Sequence, residues 1–456
     1  MSTTISDTGP QPAAPGAASP GTASGAAPAT EAAPATEAAP AAPAAAAPAA
    51  PAAAAPARSR PHIVAFDMIR LIIMLFVVGV HTLSLAGGQT TVTLGAIITV
   101  FHTSRELFFL LTALVLTYNY GHRERVNWLK FWRRRYWLLL PAYVVWSTIY
   151  WGADGRGRGP FPAAYLHELL HANSRYHMYF LLVTMQVYAL FPVLRWVLKK
   201  TSGHHAALFA AACLYQFALT AALQYHWVRS GPLVGWLNGA GQGIWAESYV
   251  LYIVGGAIVG WHFEEICAVT RRYARAWTVA LAAGLGVAAG LCAYFVQIYV
   301  GGAAPATASA VFQPVVVVEA LAFGWALLAG GLLWSDRGAP LRKVFAEGSA
   351  SSFGIFLAHP LVLQVLLLGA STSGILVVIR HEPALIEVLI LLGVMVPVVY
   401  GVAWLIASAA RRTPLSLVLT GREYRSPRRA RARTHNGEEL RAKLCGGSSF
   451  WLSRSC

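Results

Sequence analysis

The sequence predicts an all-α protein of the membrane, a polytopic bundle of about ten transmembrane helices with both termini in the cytoplasm. Of its 456 residues, 56% are hydrophobic and only 12% are charged, about half the charged fraction of an average soluble domain. Apolar runs of about twenty residues recur along the chain, and each is long enough to cross a bilayer as a helix. Lysine and arginine are concentrated in alternate connections between these runs, as in multi-pass membrane proteins.

Residues 1–57 consist mainly of alanine, proline, glycine, serine and threonine, with almost no charge. Such a segment cannot bury enough apolar surface to offset the entropy of ordering the chain. We therefore expect a disordered tail with extended polyproline character. It lacks the basic region and the apolar region that together define a signal peptide.

The membrane domain, residues 58–411, contains ten apolar segments. Because ten is an even number, both ends of this domain are expected on the same side of the membrane. The segments run from about 64 to 86, 92 to 119, 131 to 151, 177 to 198, 206 to 226, 243 to 262, 277 to 300, 312 to 334, 351 to 369 and 385 to 409.

The distribution of basic residues predicts the orientation of the bundle. The connections on the amino-terminal side and the two tails hold 28 of the 35 lysines and arginines. The opposite connections hold only five, namely Arg156, Arg158, Arg175, Arg229 and Arg380. Basic loops remain in the cytoplasm, so we expect a plasma or inner membrane protein with cytoplasmic termini.

The carboxyl-terminal segment, residues 412–456, is strongly basic and contributes to a formal net charge of +16. In isolation its pattern would suggest nucleic-acid binding. After ten apolar segments, attraction to anionic membrane lipids is the simpler interpretation. We therefore expect membrane lipids, and no nucleic acid, as its partners.

The first apolar segment carries three polar residues on one face. Arg70 and His81 are separated by ten uncharged residues, which places them within roughly 20° of each other and about 16 Å apart along a helix. Asp67 lies within about 40° of this face, and it precedes Arg70 by three residues, the spacing of a helical ion pair. Ionisable groups in hydrocarbon usually face a protein-lined or wet cavity, so this stripe predicts a functional site.

The second apolar segment contains Arg105 next to Glu106. Because adjacent helical side chains point about 100° apart, we expect Arg105 to pair with a group on another helix. Two interpretations remain open: a structural ion pair that fixes helix packing, or a residue that lines a reaction cavity.

Three further polar residues stand alone in apolar segments. Glu319 lies in the eighth segment, His359 lies in the ninth, and His177 begins the fourth. A single histidine on an apolar helix is more often a packing residue than a functional one, and a buried glutamate is more costly. Each of the three is therefore a candidate substrate-binding residue with packing as the alternative.

The connection before the third segment combines six basic residues with several tryptophans. These residues fit an interfacial belt that anchors the helix and sets its orientation. Arg133, Arg134 and Arg135 have a second interpretation, because guanidinium groups match the oxygens of phosphate. Both interpretations can hold together.

These residues resemble the acyltransferase-3 family of integral membrane acyltransferases, from about Phe66 to Arg411. The most specific match is the arginine, ten residues, histidine motif from Arg70 to His81. Secondary matches are ELFFLLTALVL, RRRYWLLLPAY, HMYFLLVTMQVYALFP and SFGIFLAHP. Thr112 and Ala113 replace the usual serine and glycine, and Tyr179 stands where the family often has tryptophan. The resemblance is to the stand-alone members without an extracytoplasmic hydrolase-like domain.

The resemblance implies transfer of an acyl group, usually acetyl, from a cytoplasmic acyl-CoA to a hydroxyl on an extracytoplasmic or membrane-bound acceptor, often a sugar, without a metal. His81 is then the base that deprotonates the hydroxyl, or it carries the acyl group itself. Arg70, oriented by Asp67, would hold the donor, and Arg105 would neutralise developing oxyanion charge.

An alternative function is export of a glycan or of an acylated intermediate, because buried histidine, arginine and glutamate also form proton relays. Many transporters contain paired halves with matching broken helices. The sequence shows no second copy of the Arg70 to His81 pattern, which favours the enzyme. A nonenzymatic receptor or scaffold leaves the intramembrane charges unexplained.

Overall fold

A computed structural model describes residues 61–87, 91–154, 162–226, 231–241 and 243–424 of the chain. The predicted disordered tail, residues 1–57, and residues 425–456 of the predicted basic tail lie outside these ranges. Within the described ranges the secondary structure is helical and contains no strand. This architecture confirms the predicted all-α membrane bundle.

Eighteen α-helices are present in the described ranges. They are α1 (Ala65–Ala86), α2 (Val92–Phe101), α3 (Ser104–Tyr120), α4 (Trp128–Ala153), α5 (Ala163–Leu170), α6 (Tyr179–Lys200), α7 (His205–Gln224), α8 (Pro232–Gly241), α9 (Val250–Trp261), α10 (Phe263–Tyr273), α11 (Ala276–Tyr299), α12 (Pro305–Ala308), α13 (Pro314–Asp336), α14 (Arg342–Thr372), α15 (Ile375–His381), α16 (Ala384–Ile390), α17 (Val396–Ala410) and α18 (Ser416–Thr420). A 3₁₀ turn, Ala246–Tyr249, precedes α9, and a π-helical turn, Leu391–Met395, joins α16 to α17.

Eight helical segments of the described chain are long and apolar enough to cross a membrane, and a bent pair raises the number to nine. The predicted span 131–151 falls in α4, which has 26 residues and is therefore about 39 Å long. Its first turns carry Lys130 and the arginines 133–135, so its composition is less apolar than that of the other long helices.

Two predicted spans are interrupted. The segment predicted at 92–119 consists of α2 and α3, with a break at His102 and Thr103. The segment predicted at 243–262 ends in a 92° bend between α9 and α10. The bend has a physical reason, because α10 carries two acidic residues in its first turn and two basic residues in its last, which are costly to place in hydrocarbon.

Helix α1 lies at the centre of the bundle and packs against α2, α3, α13, α14 and α17. One face of α1 is buried along its length, with Ile73, Met74 and Val78 almost fully enclosed. Polar residues on this helix are therefore surrounded by neighbouring helices, which is the arrangement that an intramembrane site requires.

Glycines allow α9 to approach α3 closely. A Cβ atom added to Gly256 would overlap the backbone carbonyl of Leu110, and one added to Gly260 would overlap the carbonyl of Leu114. Small residues at such positions let two membrane helices gain van der Waals contact over their backbones. This contact fixes the position of α3, which carries Arg105.

We expect Gly256→Ala to lower the free energy of unfolding by about 1–3 kcal/mol, because the extra methyl group forces α9 away from α3. The midpoint of thermal unfolding in detergent measures the loss. The matched control is Gly284→Ala on α11, where no atom lies within 4 Å of an added Cβ. Equal midpoints for the two variants would contradict the proposed close packing.

Candidate functional site

A large cavity, called the Arg70 cavity here, adjoins the amino-terminal half of α1. Its volume is about 790 Å³, within the range of roughly 300–1,000 Å³ typical of ligand sites. Tyr188, Glu423 and Tyr424 belong to its wall. Six arginines of the described chain also line it, namely Arg70, Arg134, Arg135, Arg411, Arg412 and Arg422.

Contacts from several helices hold these guanidinium groups in place. Nη1 of Arg70 donates a hydrogen bond of 3.1 Å to Oγ of Ser349 on α14. Arg135 lies over the ring of Tyr188, with 5.4 Å between the guanidinium carbon and the ring centroid. The result is an excess of positive charge around one cavity, which favours an anionic ligand.

A second cavity, called the His81 cavity, adjoins the carboxyl-terminal half of α1 and has a volume of about 340 Å³. Its wall includes His81, His102, Arg105, Tyr176 and His177. It is smaller than the Arg70 cavity and mostly aromatic or apolar, with these polar groups directed into it.

Three histidines meet beside the His81 cavity, one from α1, one from α14 and one from the connection before α6. The ring of His359 on α14 stacks against His81 with 5.4 Å between centroids, and it lies 5.5 Å from the ring of His177. Tyr176 covers another side of His81, with 4.6 Å between ring centroids. His81 and His359 are 278 positions apart in the sequence, and the fold brings them together.

Hydrogen bonding fixes the tautomer of His359. Its Nδ1 lies 2.8 Å from the carbonyl oxygen of Phe356, and a carbonyl oxygen can only accept, so Nδ1 carries the hydrogen. Its Nε2 is buried and has no hydrogen-bond partner, and the same is true of both ring nitrogens of His177. Buried polar atoms without partners are rare in proteins, and here they mark a polar site inside the bundle.

Arg105 lines the His81 cavity, but the prediction that it pairs with another helix is wrong. Its Nε donates a hydrogen bond of 2.6 Å to Oε1 of the adjacent Glu106, and its guanidinium lies 4.2 Å from the ring centroid of Phe312. Both residues lie in the first turn of α3, which begins at Ser104, directly after the break that separates α3 from α2. The Nη2 atom of Arg105 remains buried without a partner.

The predicted ion pair between Asp67 and Arg70 is also wrong. Oδ2 of Asp67 lies 3.3 Å from Nε2 of His62, whereas Arg70 donates to Ser349. Asp67 therefore interacts with the residues that lead into α1, and the guanidinium of Arg70 is oriented by α14 instead.

Two phenylalanines separate the cavities. Phe108 of α3 and Phe180 of α6 each line both the Arg70 cavity and the His81 cavity. Their rings are perpendicular, with centroids 4.6 Å apart. The two cavities are therefore neighbours along α1, and this aromatic pair forms the wall between them.

Three of the candidate residues lie away from both cavities, namely Asp67, Arg133 and Glu319. Arg133 is exposed and is absent from the cavity walls, whereas its neighbours Arg134 and Arg135 line the Arg70 cavity. Glu319 is fully buried, its carboxylate oxygens have no hydrogen-bond partner, and a Cβ on Gly290 of α11 would overlap it. The packing interpretation fits the position of Glu319 better than a role in either cavity.

Sequence reasoning missed several residues of the site. Tyr176 precedes His177 in a connection, and the only signal for it was this neighbouring histidine. Arg411, Arg412 and Arg422 follow the last long helix, where basic residues are common as an orientation signal. Nothing in the sequence indicated that these arginines turn back to the cavity of Arg70.

No three histidine, cysteine, aspartate or glutamate side chains in the described ranges are placed to hold a metal ion. The sequence matches the acyltransferase-3 family, described as an acyltransferase domain, over residues 63–406. No curated protein and no solved structure gives a significant match. The family match covers both the arginine and the histidine ends of α1, and the helical architecture agrees with a multi-pass membrane enzyme. The chain therefore belongs to the acyltransferase-3 family and is an integral membrane acyltransferase.

Proposed function

We propose that this enzyme transfers an acyl group, specifically acetyl, from a cytoplasmic acyl-CoA in the Arg70 cavity to a hydroxyl of an acceptor in the His81 cavity. The acceptor is extracytoplasmic or membrane-bound, and a carbohydrate is the class that we favour. The observation that carries the proposal is the adjacency of two chemically different cavities along α1, one rich in arginine and one lined by histidine.

The Arg70 cavity suits the donor. Planar guanidinium groups form paired hydrogen bonds with phosphate oxygens, and acyl-CoA carries a diphosphate and a phosphate monoester. A long pantetheine arm separates these phosphates from the thioester, and the side chains of Arg70 and His81 are about 16 Å apart along α1. The excess of lysine and arginine at the Arg70 end of the bundle supports a cytoplasmic position for this cavity.

His81 is the base in this proposal. Its imidazole removes the proton from the acceptor hydroxyl as the oxygen attacks the thioester carbonyl. The new carbon–oxygen bond forms, the carbon–sulfur bond breaks, and the thiolate of CoA takes the proton back from the imidazolium. Arg105 neutralises the oxyanion that develops on the carbonyl oxygen, a role supported by the unpartnered Nη2 atom beside the cavity.

A covalent route uses the same residues in two steps. His81 attacks the thioester, the carbon–sulfur bond breaks, and the acyl group resides on the imidazole until the acceptor hydroxyl displaces it. Incubation of purified enzyme with labelled acetyl-CoA and no acceptor separates the routes. A rapid release of about one equivalent of free CoA per enzyme supports the covalent route. The absence of such a burst supports direct transfer, which releases no CoA without an acceptor.

The aromatic wall of the His81 cavity supports a carbohydrate acceptor. Tyr176 lies against His81, and Tyr179 also lines the cavity. Such rings pack against the carbon–hydrogen face of a sugar, while the histidines and Arg105 provide partners for its hydroxyls. Specific ligand sites generally combine an aromatic lining with a few polar groups in this way.

Labelled acetyl-CoA tests the proposed function directly. Membranes that contain the enzyme are incubated with the donor, and lipids, glycans and small molecules are fractionated. We expect label in a glycan or lipid-linked sugar fraction as an ester that hydroxylamine releases, and none of it in membranes without the enzyme. Equal labelling of both membranes in every fraction would contradict the proposal.

A further inference from the structure

The segment that follows the last long helix is part of the folded bundle. It runs from residue 411 to residue 424, beyond the end of the family match at residue 406. Helix α18 within it packs against α4 and α14, and Nε1 of Trp146 donates a hydrogen bond of 3.2 Å to the carbonyl oxygen of Leu419. Ser416 and Thr420 of α18 are almost completely buried. The segment is therefore held against both α4 and α14.

A glycine turns the chain after α18 towards the cavity. Gly421 has a φ of 60°, a backbone conformation that favours glycine. A Cβ at this position would also collide with the ring of Phe353 and approach the carbonyl oxygen of Leu138. The turn therefore requires glycine for two reasons, and it directs Arg422 and Tyr424 to the wall of the Arg70 cavity.

The segment provides half of the arginines in that wall. Nη1 of Arg411, which is half-buried, donates hydrogen bonds of 2.6 Å to Glu347 and 2.9 Å to Ser351. Arg412 and Arg422 are exposed and line the same cavity. They lie nearer to solvent than the half-buried Arg70 and extend the positive charge of the cavity to its mouth.

We propose that residues 411–424 bind the nucleotide end of the donor, with Arg412 and Arg422 as the ligands of the 3′-phosphate. This inference deepens the proposed function and rests on it. Acyl-CoA is a linear molecule, and its thioester must point towards His81, past Phe108 and Phe180. The diphosphate then lies near the inner arginines, and the adenosine 3′-phosphate lies at the mouth, beside the segment.

The arginines of residues 411–424 in the wall of the Arg70 cavity should distinguish donors that differ only in one phosphate. Phosphate monoesters carry more charge than phosphodiesters and make strong bonds to guanidinium groups. A donor without the 3′-phosphate loses these bonds but keeps the contacts of its diphosphate and pantetheine. The segment therefore selects CoA over dephospho-CoA.

Calorimetric titration of the purified full-length enzyme with CoA and with dephospho-CoA tests the proposal. We expect the wild-type enzyme to bind CoA about tenfold or more tightly than dephospho-CoA. Arg412→Ala combined with Arg422→Ala should weaken the binding of CoA much more than that of dephospho-CoA and so remove this preference. The midpoint of thermal unfolding in detergent shows that the variant is folded. The control is Arg342→Ala, the exposed first residue of α14, which removes a positive charge at the same end of the bundle.

The outcomes separate the inference from the function on which it depends. A wild-type enzyme that binds CoA but does not distinguish dephospho-CoA overturns the role of the segment and leaves the proposed function intact. Equal weakening of both ligands by the double variant, or the same loss of preference in Arg342→Ala, also overturns it. A wild-type enzyme that binds neither ligand contradicts the proposed donor and the segment's role together.

Discussion

Replacing His81 with alanine is expected to lower acyl transfer by about 10²–10⁴-fold while the enzyme remains folded and inserted in the membrane. The expected loss follows from the position of the imidazole in a cavity that Arg105 also lines, where it can accept the proton of the acceptor. Transfer of label from acetyl-CoA to the acceptor fraction measures the loss, and size-exclusion chromatography in detergent reports the folded state.

His171→Ala is the matched control, because His171 is an exposed histidine at the carboxyl end of α5. We expect this variant to transfer label at the wild-type rate. Near-normal activity of folded His81→Ala would end the assignment of His81 as base. His81→Gln, which keeps most of the side-chain volume, should be as inactive as the alanine variant, because glutamine cannot accept the proton.

Replacing Arg70 with alanine is expected to raise the KM for acetyl-CoA by about 10- to 100-fold, the loss typical of a hydrogen bond between charged groups. Arg70 is half-buried in the Arg70 cavity and oriented by Ser349, so a donor phosphate would bind it without further ordering of the side chain. Steady-state rates at varied donor and acceptor concentrations give the two KM values separately.

Arg70→Lys keeps the charge but loses the planar fork, so we expect an intermediate KM for the donor. The control Arg272→Ala removes an exposed arginine of α10, and its donor KM should equal that of the wild type. An effect of Arg70→Ala on the acceptor KM alone would place Arg70 in the acceptor site and contradict the assignment.

The sequence was sufficient to predict the long helices of this enzyme and the shared face of Arg70 and His81. Apolar runs predicted the long helices because burial in hydrocarbon dominates their free energy and depends on composition alone. The spacing of Arg70 and His81 predicted a shared face, since a single helix fixes the relative direction of its own side chains. The structure adds that this face meets two separate cavities.

Contacts between helices could not be predicted in the same way. Arg105 pairs with its neighbour Glu106 in the first turn of α3, and no sequence pattern indicated the helix break before Ser104. Asp67 and Arg70 have helical spacing for an ion pair, but the proximity of Ser349 on α14 decides where Arg70 points. Such outcomes depend on which side chains the folded bundle brings within reach, and they are not encoded in local periodicity.

The position of residues 411–424 against the bundle could not be predicted from the sequence either. Arg411 and Arg412 follow the last apolar run, and positive charge at that position is explained by orientation alone. Only the burial of α18 and the turn at Gly421 reveal that this part of the chain folds back onto the bundle.

The perpendicular rings of Phe108 and Phe180 have a consequence for the cell as well as for the reaction. In the proposed function, one substrate reaches the enzyme from each side of the bilayer, and such an enzyme must not conduct protons and ions between turnovers. The edge of one ring packs against the face of the other between the two cavities, and an apolar contact of this kind opposes the continuous file of water that such conduction requires. We therefore expect the pair of phenylalanines to limit the leakage of ions during the proposed transfer of an acyl group across the membrane.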